Sequence, residues 1–259
     1  MINFEKIAIK VINCIEWLTN TTITVKKKPK IKIKVHPYAV SDGTLMQRYV
    51  DLVERFCTYT PENIFEIGAN YAQDADYLKQ SFNIDEKNVY VFEPHPQIFV
   101  EIKKIYKFNA FELAVSNENG RAKFNAIDIN NNEYKNSGIS SLREGLTTDK
   151  KNFINVDVEM IRMDDFMKKN NIDNIDFLKL DVEGMNYEVL EGFGNMLSKV
   201  KSIQTEGEYK KYWKGQKLYK DMEDLLNYNG FKLIAFILSQ DGIQSDSFWI
   251  QEKYLKQVI

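Results

Sequence analysis

One short stretch indicates the class of fold: Asn63-Ile64-Phe65-Glu66-Ile67-Gly68. Its apolar side chains are nearly continuous, which is typical of a strand buried on both faces of a parallel sheet. The glycine at its end allows the backbone to turn sharply. A helical pattern then runs to about residue 82, and a second apolar strand follows at 89–92. Strands that alternate with helices in this way predict an α/β fold with a parallel sheet.

The same alternation continues towards the end of the sequence. Two apolar runs joined by Gln240-Asp241-Gly242 predict a final β-hairpin. We therefore expect five parallel strands followed by an antiparallel pair. Further strands are predicted at 111–115, 121–127, 156–161, 176–181, 200–205, 231–238 and 247–251, and helices at 96–107, at 187–192 with Asn186 as its cap, and around 218–226 with Gly230 closing it.

Residues 1–60 have a different pattern. Apolar residues recur every three or four positions over 2–18, which predicts an amphipathic helix. Lysines alternate with apolar residues over 31–35, which predicts an edge strand with one solvated face. Another helix is predicted from Ser41 or Asp42 to about Thr60. We expect residues 1–60 to form a cap or a homodimer contact through the N-terminal helix, and residues 61–259 to form the main domain.

Composition and charge exclude several classes of function. The 259 residues include 35 lysines and arginines and 37 aspartates and glutamates, so no overall positive field favours nucleic acid or a membrane surface. Two cysteines and two histidines without paired spacing predict no zinc site. No apolar stretch approaches the ~18 residues that a transmembrane helix needs. We expect a cytoplasmic protein with no nucleic-acid partner.

Acidic residues follow several of the predicted parallel strands, at the sheet edge where such folds bind ligands. Glu93 ends the second strand, 25 residues after Gly68. In nucleotide-binding folds an acid at this position takes both ribose hydroxyls through its two oxygens. A dinucleotide site needs further glycines to admit a pyrophosphate, but Gly68 is followed by Ala69-Asn70-Tyr71-Ala72-Gln73. The pattern favours a phosphate-free adenosine ligand, S-adenosylmethionine (SAM).

Five short motifs then follow one another along the predicted domain. They are Glu66-Ile67-Gly68-Ala69-Asn70, Phe92-Glu93-Pro94, Ala114-Val115-Ser116-Asn117-Glu118-Asn119-Gly120, Ser140-Ser141-Leu142 and Leu178-Lys179-Leu180-Asp181-Val182-Glu183-Gly184. As an ordered set, over about residues 60–207, they resemble the FkbM-type SAM-dependent methyltransferases. That family usually has aspartate at the position of Glu66 and glycine at that of Ala72. The resemblance implies a Rossmann-like class I methyltransferase sheet of seven mostly parallel strands with a C-terminal antiparallel hairpin.

The resemblance also implies a binding site for SAM. Glu66, Gly68 and Asn70 would line its methionine and ribose side, and Glu93 would hold the ribose hydroxyls. Ser116, with the backbone of Ala114 and Val115, would frame the adenine, and Asp181 would face the methionine end. The complete predicted cofactor set is Glu66, Gly68, Ala69, Asn70, Glu93, Pro94, Ala114, Val115, Ser116 and Asp181.

Methyl transfer to a hydroxyl requires alignment of the reacting atoms and removal of the hydroxyl proton. Asp181 and Glu206 are the candidates for the base or for orienting the substrate, and Glu183 is the third. An ion pair with a lysine is the structural alternative for Glu66 and Asp181. Paired carboxylates could instead hold a divalent cation, although no metal is predicted.

Members of the family that the sequence resembles methylate hydroxyls of sugars, polysaccharide precursors or natural products, which implies a small-molecule or glycan acceptor. Ser140 and Ser141, within a long loop at 128–152, are candidates for a substrate gate or are ordinary loop residues. Tyr209, Tyr212 and Trp213 could stack on a sugar ring or pack inside the protein. Three other functions stay open: a non-catalytic SAM-binding scaffold, a nucleic-acid methyltransferase and a nicotinamide-dependent oxidoreductase.

Overall fold

The structure, a computed structural model, describes residues 44–130, 137–146 and 152–257. The helix predicted at 2–18, the edge strand predicted at 31–35 and the cap at Ser41 or Asp42 lie outside these residues. The helices are α1 Thr44–Phe56, α2 Gln73–Phe82, α3 Pro96–Ile105, α4 Met163–Lys169, α5 Asn186–Gly192 and α6 Tyr219–Tyr228. The strands are β1 Ile64–Ile67, β2 Val89–Phe92, β3 Asn109–Phe111, β4 Ala114–Val115, β5 Gly120–Ile127, β6 Phe153–Ile161, β7 Ile175–Leu180, β8 Val200–Glu208, β9 Phe231–Leu238 and β10 Gln244–Gln251.

Seven strands form the main sheet, in the order β3-β2-β1-β7-β8-β10-β9. The first five are parallel, and β10 runs antiparallel to both β8 and β9. The predicted α/β fold, with five parallel strands and an antiparallel pair, is confirmed. The strand order reverses between β1 and β7, because β2 and β3 extend the sheet to one side and β8 extends it to the other. Ligands of open α/β sheets bind at the carboxyl ends of the strands beside such a reversal.

Two layers of helices bury the two faces of this sheet. Alternate strand residues supply the two cores, since successive side chains point to opposite faces; in β1, Ile64 packs on one side, and Phe65 and Ile67 on the other. Helices α1, α2 and α3 cover the first face, and α4, α5 and α6 cover the second. The described part of the predicted N-terminal segment therefore shares the core of the sheet, since Met46 and Tyr49 of α1 are buried in it.

Two local predictions are wrong. The strand predicted at 111–115 is divided, because β3 ends at Phe111 in the main sheet and β4 joins a separate three-stranded sheet in the order β4-β6-β5. Asn186 does not cap its helix: its Oδ1 accepts a hydrogen bond from the amide of Val182 (2.9 Å), and its Nδ2 donates to the carbonyl of Glu206 (2.9 Å). Asn186 thus ties the turn after β7 to β8.

Among the described residues, no helix has the combination of length and apolar character that crossing a membrane requires.

Candidate active site

A cavity of about 460 Å³ opens at the carboxyl ends of the parallel strands. Its size falls within the range of small-molecule sites, roughly 300–1,000 Å³. The turns after β1, β2 and β7 form much of its wall. Residues of β4, β5, β8, β10, α1 and the segment 137–146 complete it. Of the residues predicted from the sequence, those that line it are Glu66, Gly68, Ala69, Asn70, Glu93, Pro94, Ala114, Val115, Ser140, Ser141, Asp181, Glu183 and Glu206.

The turn after β1 brings its backbone close to the end of β7. Gly68 has a φ of +79°, and a Cβ on it would lie 2.0 Å from the carbonyl oxygen of Asp181, which leaves space only for glycine. The amides of Gly68 and Ala69 both donate to the carbonyl of Phe92 at 3.1 Å. Ala72 also has a left-handed backbone, with φ +56°. This geometry explains physically why glycine suits the position of Ala72.

Glu93 joins the turns after β1 and β2. Its Oε2 accepts a hydrogen bond from the amide of Asn70 (2.7 Å), and its Oε1 accepts one from the amide of His95 (2.8 Å). Burial raises the pKa of Glu93 to about 7, although these two hydrogen bonds lower it. Each carboxyl oxygen has a second lone pair, so the group retains capacity to accept from two hydroxyls of a bound ribose.

Lys179, which is not among the site residues predicted from the sequence, also lines the cavity. Its Nζ lies 3.4 Å from Oε1 of Glu66 and 3.3 Å from Oδ2 of both Asp74 and Asp181. The structural alternative for Glu66 and Asp181 is therefore observed, and both still face the cavity. The sequence does contain a signal for these contacts, namely a lysine within the apolar run Ile175–Leu180. A charge in a central strand requires partners.

Three further carboxyl groups line the cavity near Asp181, those of Glu183, Glu206 and Asp246. Burial, followed by repulsion from Asp181 and Glu208, raises the pKa of Glu183 to about 8. Burial and four neighbouring carboxylates, with Asp181 first, also raise the pKa of Glu206. Burial and Asp181 raise the pKa of Asp246, on β10, to about 6. These shifts give the cavity groups that can accept or hold a proton near neutral pH.

Residues 137–146, which we call the strap, cross one side of the cavity. Ser137 Oγ donates to Oδ1 of Asn70 (2.9 Å), and the amide of Ile127 donates to Oγ of Ser140 (3.0 Å). Ser141 Oγ donates to the carbonyl of Glu183 (2.6 Å). The strap therefore connects the turn after β1 with the turn after β7.

Arg143, which is not among the residues predicted from the sequence, holds the other end of the strap. Its Nε donates to the carbonyl of Gly184 and its Nη1 to the carbonyl of Lys214, both at 2.9 Å, while Nη2 pairs with Glu188. Because the guanidinium has donors in a planar fork, one side chain ties the strap to both the 184–188 stretch and the loop at Lys214. A single arginine in a long loop gave no signal of this arrangement in the sequence.

Four predicted site residues do not line the cavity. Ser116 is buried beside it, and its hydroxyl is 3.2 Å from Oδ1 of Asn117. Trp213 is buried against Gly184, where a Cβ would lie 2.4 Å from the indole. Tyr209 is partly exposed, with its hydroxyl 3.1 Å from Oγ of Ser245, and the amide of Tyr212 donates to Gln216. The structure does not bring these four into the cavity wall, and their roles stay predictions.

The charged side chains of the cavity wall indicate which ligands fit. Lys179 is the one lysine, arginine or histidine among the described lining residues, and carboxylates already surround it. A pyrophosphate would find no cationic partner there, whereas the ribose acid and the close turn at Gly68 suit an adenosine without phosphates. Within the described ranges, no group of three His, Cys, Asp or Glu side chains has the arrangement of a metal site.

The sequence matches a known family and a curated relative. Residues 66–233 match the family model described as the methyltransferase FkbM domain. A curated relative, the 2-O-methyltransferase NoeI of Sinorhizobium fredii (strain NBRC 101917 / NGR234), is 27% identical over 226 residues, which are 81% of this chain and 82% of NoeI.

Solved structures with a similar arrangement of helices and strands include two methyltransferases. The FkbM methyltransferase from Methylobacillus flagellatus KT is 14% identical, with a TM-score of 0.46 over 73% of this chain and 44% of its own. The magnesium protoporphyrin IX methyltransferase ChlM of Synechocystis PCC 6803, solved with bound SAM, is 11% identical, with a TM-score of 0.45 over 80% of this chain and 78% of its own.

Proposed function

The chain belongs to the family of methyltransferases with the FkbM domain, and we propose that it transfers a methyl group from SAM to a hydroxyl of a sugar, a surface-polysaccharide precursor or a related small metabolite. The observation that carries this proposal is the cavity beside the strand-order reversal, where the close turn at Gly68 faces the buried carboxyl of Glu93. These two features suit an adenosine ligand at the position where open α/β sheets bind one.

SAM, when bound, supplies an electrophilic methyl group on a sulfonium. The protein's contribution is to hold that methyl in line with the acceptor oxygen, and alignment of this kind is worth up to roughly 7–11 kcal/mol in intramolecular reactions. Glu93 and the turn at Gly68 would hold the adenosine. Glu66 and Asp181 would line the methionine side, with Asp181 nearest to the acceptor.

A group near the acceptor hydroxyl must take its proton as charge develops. Asp181, Glu183 and Glu206 all line the cavity, which supports all three as candidates. We favour Glu183 among them, because its pKa of about 8 lies near neutral pH, where a base and its conjugate acid are both accessible. Its carbonyl is also fixed by the 2.6 Å hydrogen bond from Ser141, so its backbone is well positioned.

The acceptor side of the cavity supports a hydroxyl-rich substrate. Carboxyl and amide groups of Glu206, Gln244 and Asp246 line it, and such groups hydrogen-bond readily to sugar hydroxyls. The relative NoeI is a 2-O-methyltransferase, which supports oxygen as the atom that accepts the methyl group. The strap, with Ser140 and Ser141, would close over this side.

Two measurements test the proposal. Isothermal titration calorimetry with SAM and with S-adenosylhomocysteine tests the cofactor site, and no binding of either ligand would refute it. Transfer of a labelled methyl group from SAM to a panel of neutral glycosides, nucleotide sugars and glycan precursors tests the reaction. We expect labelled products that lose the methyl group only on cleavage of an ether. SAM binding without transfer to any sugar, but with transfer to RNA or DNA, would overturn the acceptor class.

A further inference from the structure

Lys179 belongs to a row of polar side chains that crosses one of the two buried faces of the main sheet. Parallel pairing places Glu66 of β1 opposite Lys179 of β7, and Lys179 opposite Gln204 of β8. Gln204 continues the row, because its Nε2 donates to Oδ1 of Asp246 on β10 (3.0 Å). All these side chains are on the face that α1 and α2 cover, which also carries one of the two apolar cores. A charged row in an apolar layer is costly unless its groups are paired.

The ammonium of Lys179 is the point at which three parts of the cavity wall meet. Its neighbours within 3.4 Å are a carboxylate on β1, one at the start of α2 and one directly after β7. The side chains of Lys179 and Glu66 are 5% and 1% exposed, so water screens their contact little. The side chain of Asp181 is 43% exposed, so water screens its contact with Lys179 more strongly. The titratable or charged groups that face it are Glu66 on β1, Asp74 on α2, Asp181 after β7, Asp246 on β10 and Tyr49 on α1.

We propose that Lys179 is the positioning residue of the methionine end of the site: its ammonium holds the carboxylates of Glu66, Asp74 and Asp181 together on the cavity wall. The inference rests on the proposed SAM-binding function and deepens it. Burial alone lowers the pKa of Lys179, but its carboxylate neighbours raise it well above the ordinary value, so the side chain stays positively charged.

The same contacts also fix the turn that approaches the cofactor. Asp74 belongs to the first turn of α2, and Oε2 of Glu66 accepts a hydrogen bond from the amide of Ala75 (3.1 Å) in that turn. Lys179 therefore links the start of α2 to β7 directly and to β1 through Glu66. The residues between Gly68 and α2 include Asn70 and Ala72, both with positive φ, and such a backbone persists only when its surroundings constrain it.

The test is the substitution Lys179→Met, which keeps an unbranched chain of similar length and removes the charge. We expect the affinity for SAM at pH 7, measured by titration calorimetry, to fall by about tenfold or more, because the carboxylates of the methionine side lose their common partner. We expect Lys179→Arg to restore most of this affinity, since it retains the positive charge.

A second readout separates this role from a merely structural one. Without the ammonium, crowded carboxylates retain protons that a cationic ligand then displaces. The number of protons released on binding SAM, obtained from calorimetry in phosphate and in Tris buffers, should therefore be larger in Lys179→Met than in the wild type. Lys179→Arg should return it towards the wild-type number.

Lys201→Met is the matched control. Lys201 is on the neighbouring strand β8, and its Nζ is 2.7 Å from Oδ1 of Asp176, but neither residue lines the cavity. We expect its affinity for SAM to stay within about threefold of the wild type. The proposal is overturned if Lys179→Met binds SAM with unchanged affinity and proton release, or if Lys201→Met loses as much affinity as Lys179→Met.

Loss of a buried charge can prevent folding. A second comparison therefore uses two variants that both lack the carboxyl group of Glu66. Glu66→Gln alone is compared with Glu66→Gln combined with Lys179→Met, which leaves neither residue of this contact ionisable. We expect the double variant to bind SAM about tenfold more weakly than Glu66→Gln, because Asp74 and Asp181 still lack their partner. Equal affinities would refute the role of Lys179, whereas a wild-type protein that binds no SAM would refute the proposed function instead.

Discussion

Oε2 of Glu93 lies 2.7 Å from the amide nitrogen of Asn70, so one carboxyl at the end of β2 fixes the turn that follows β1. Its other oxygen accepts from the amide of His95. In Glu93→Gln, an NH₂ group would face one of these two amide donors. At pH 8, where Glu93 is mostly ionised, we expect the affinity for SAM to fall by about tenfold or more, since hydrogen bonds to charged groups contribute roughly 1.5–3 kcal/mol. Titration calorimetry measures this change.

Glu101→Gln is the control for that prediction. Glu101 is on the surface of α3, in an ion pair with Lys104 at 2.7 Å, and does not line the cavity. Its affinity for SAM should equal that of the wild type. Wild-type affinity in Glu93→Gln as well would show that Glu93 does not hold the ribose.

Gly68→Ala should destabilise the protein strongly. The new Cβ would lie 2.0 Å from the carbonyl oxygen of Asp181, and the backbone has a φ of +79°. We expect the free energy of unfolding to fall by about 3 kcal/mol or more, from strain and overpacking together. In Gly242→Ala, φ is +71° but the nearest atom lies 4.0 Å from the new Cβ, so the loss should be only about 1 kcal/mol. Urea denaturation compares them, and equal losses would contradict the close approach.

Arg143→Ala should release the strap. It leaves the carbonyls of Gly184 and Lys214 without their donor and Glu188 without its partner. We expect a loss of about 2–4 kcal/mol in the free energy of unfolding, because breaking a buried pair leaves a charge without compensation. Glu144 is on the strap and forms an exposed ion pair with Lys214. Breaking this pair in Glu144→Gln should change the free energy of unfolding by less than about 0.5 kcal/mol. A loss of similar size in both variants would count against the anchoring role of Arg143.

The stability of the protein should decrease as pH rises through the window in which Glu183 ionises. Its pKa is raised from 4.5 to about 8, so between these values the folded state holds a proton that the unfolded state has lost. Stability falls with pH wherever the folded state binds more protons, by about 1.4 kcal/mol for each unit of pKa shift. Glu183→Gln lacks this ionisation. Its melting temperature relative to the wild type should therefore rise from pH 5 to pH 8, whereas parallel curves would contradict the raised pKa.

The sequence predicts those parts of the site that follow directly from strand ends. Gly68, Glu93 and Asp181 each come at the end of an apolar run, and parallel strands bring such ends to one edge. Lys179 could not be assigned in the same way, because its role depends on the pairing of β1 with β7 across 113 positions of sequence. Arg143 presents the same difficulty, since its three partners come from segments that only the folded chain brings together.

The sequence also does not show which strands leave the main sheet. Between Asn109 and Val115 the apolar pattern is nearly continuous, yet β3 and β4 belong to different sheets. Trp213 illustrates a related limit: an aromatic residue near a predicted site is equally compatible with packing, and here it packs on Gly184. A local sequence pattern predicts that a segment forms a strand, or that an aromatic side chain is functional or buried. It does not predict as readily which part of the chain packs against that segment or side chain.

The position of β10 between β8 and β9 has a consequence for synthesis on the ribosome. Among the described strands, β9 pairs with β10 alone, although it precedes β10 in the chain. A nascent polypeptide therefore exposes β9 before the strand that connects it to β8 has been translated. Gln244 and Asp246 of β10 also complete the cavity, so a ligand-binding nascent chain is expected only after residue 251 has left the exit tunnel.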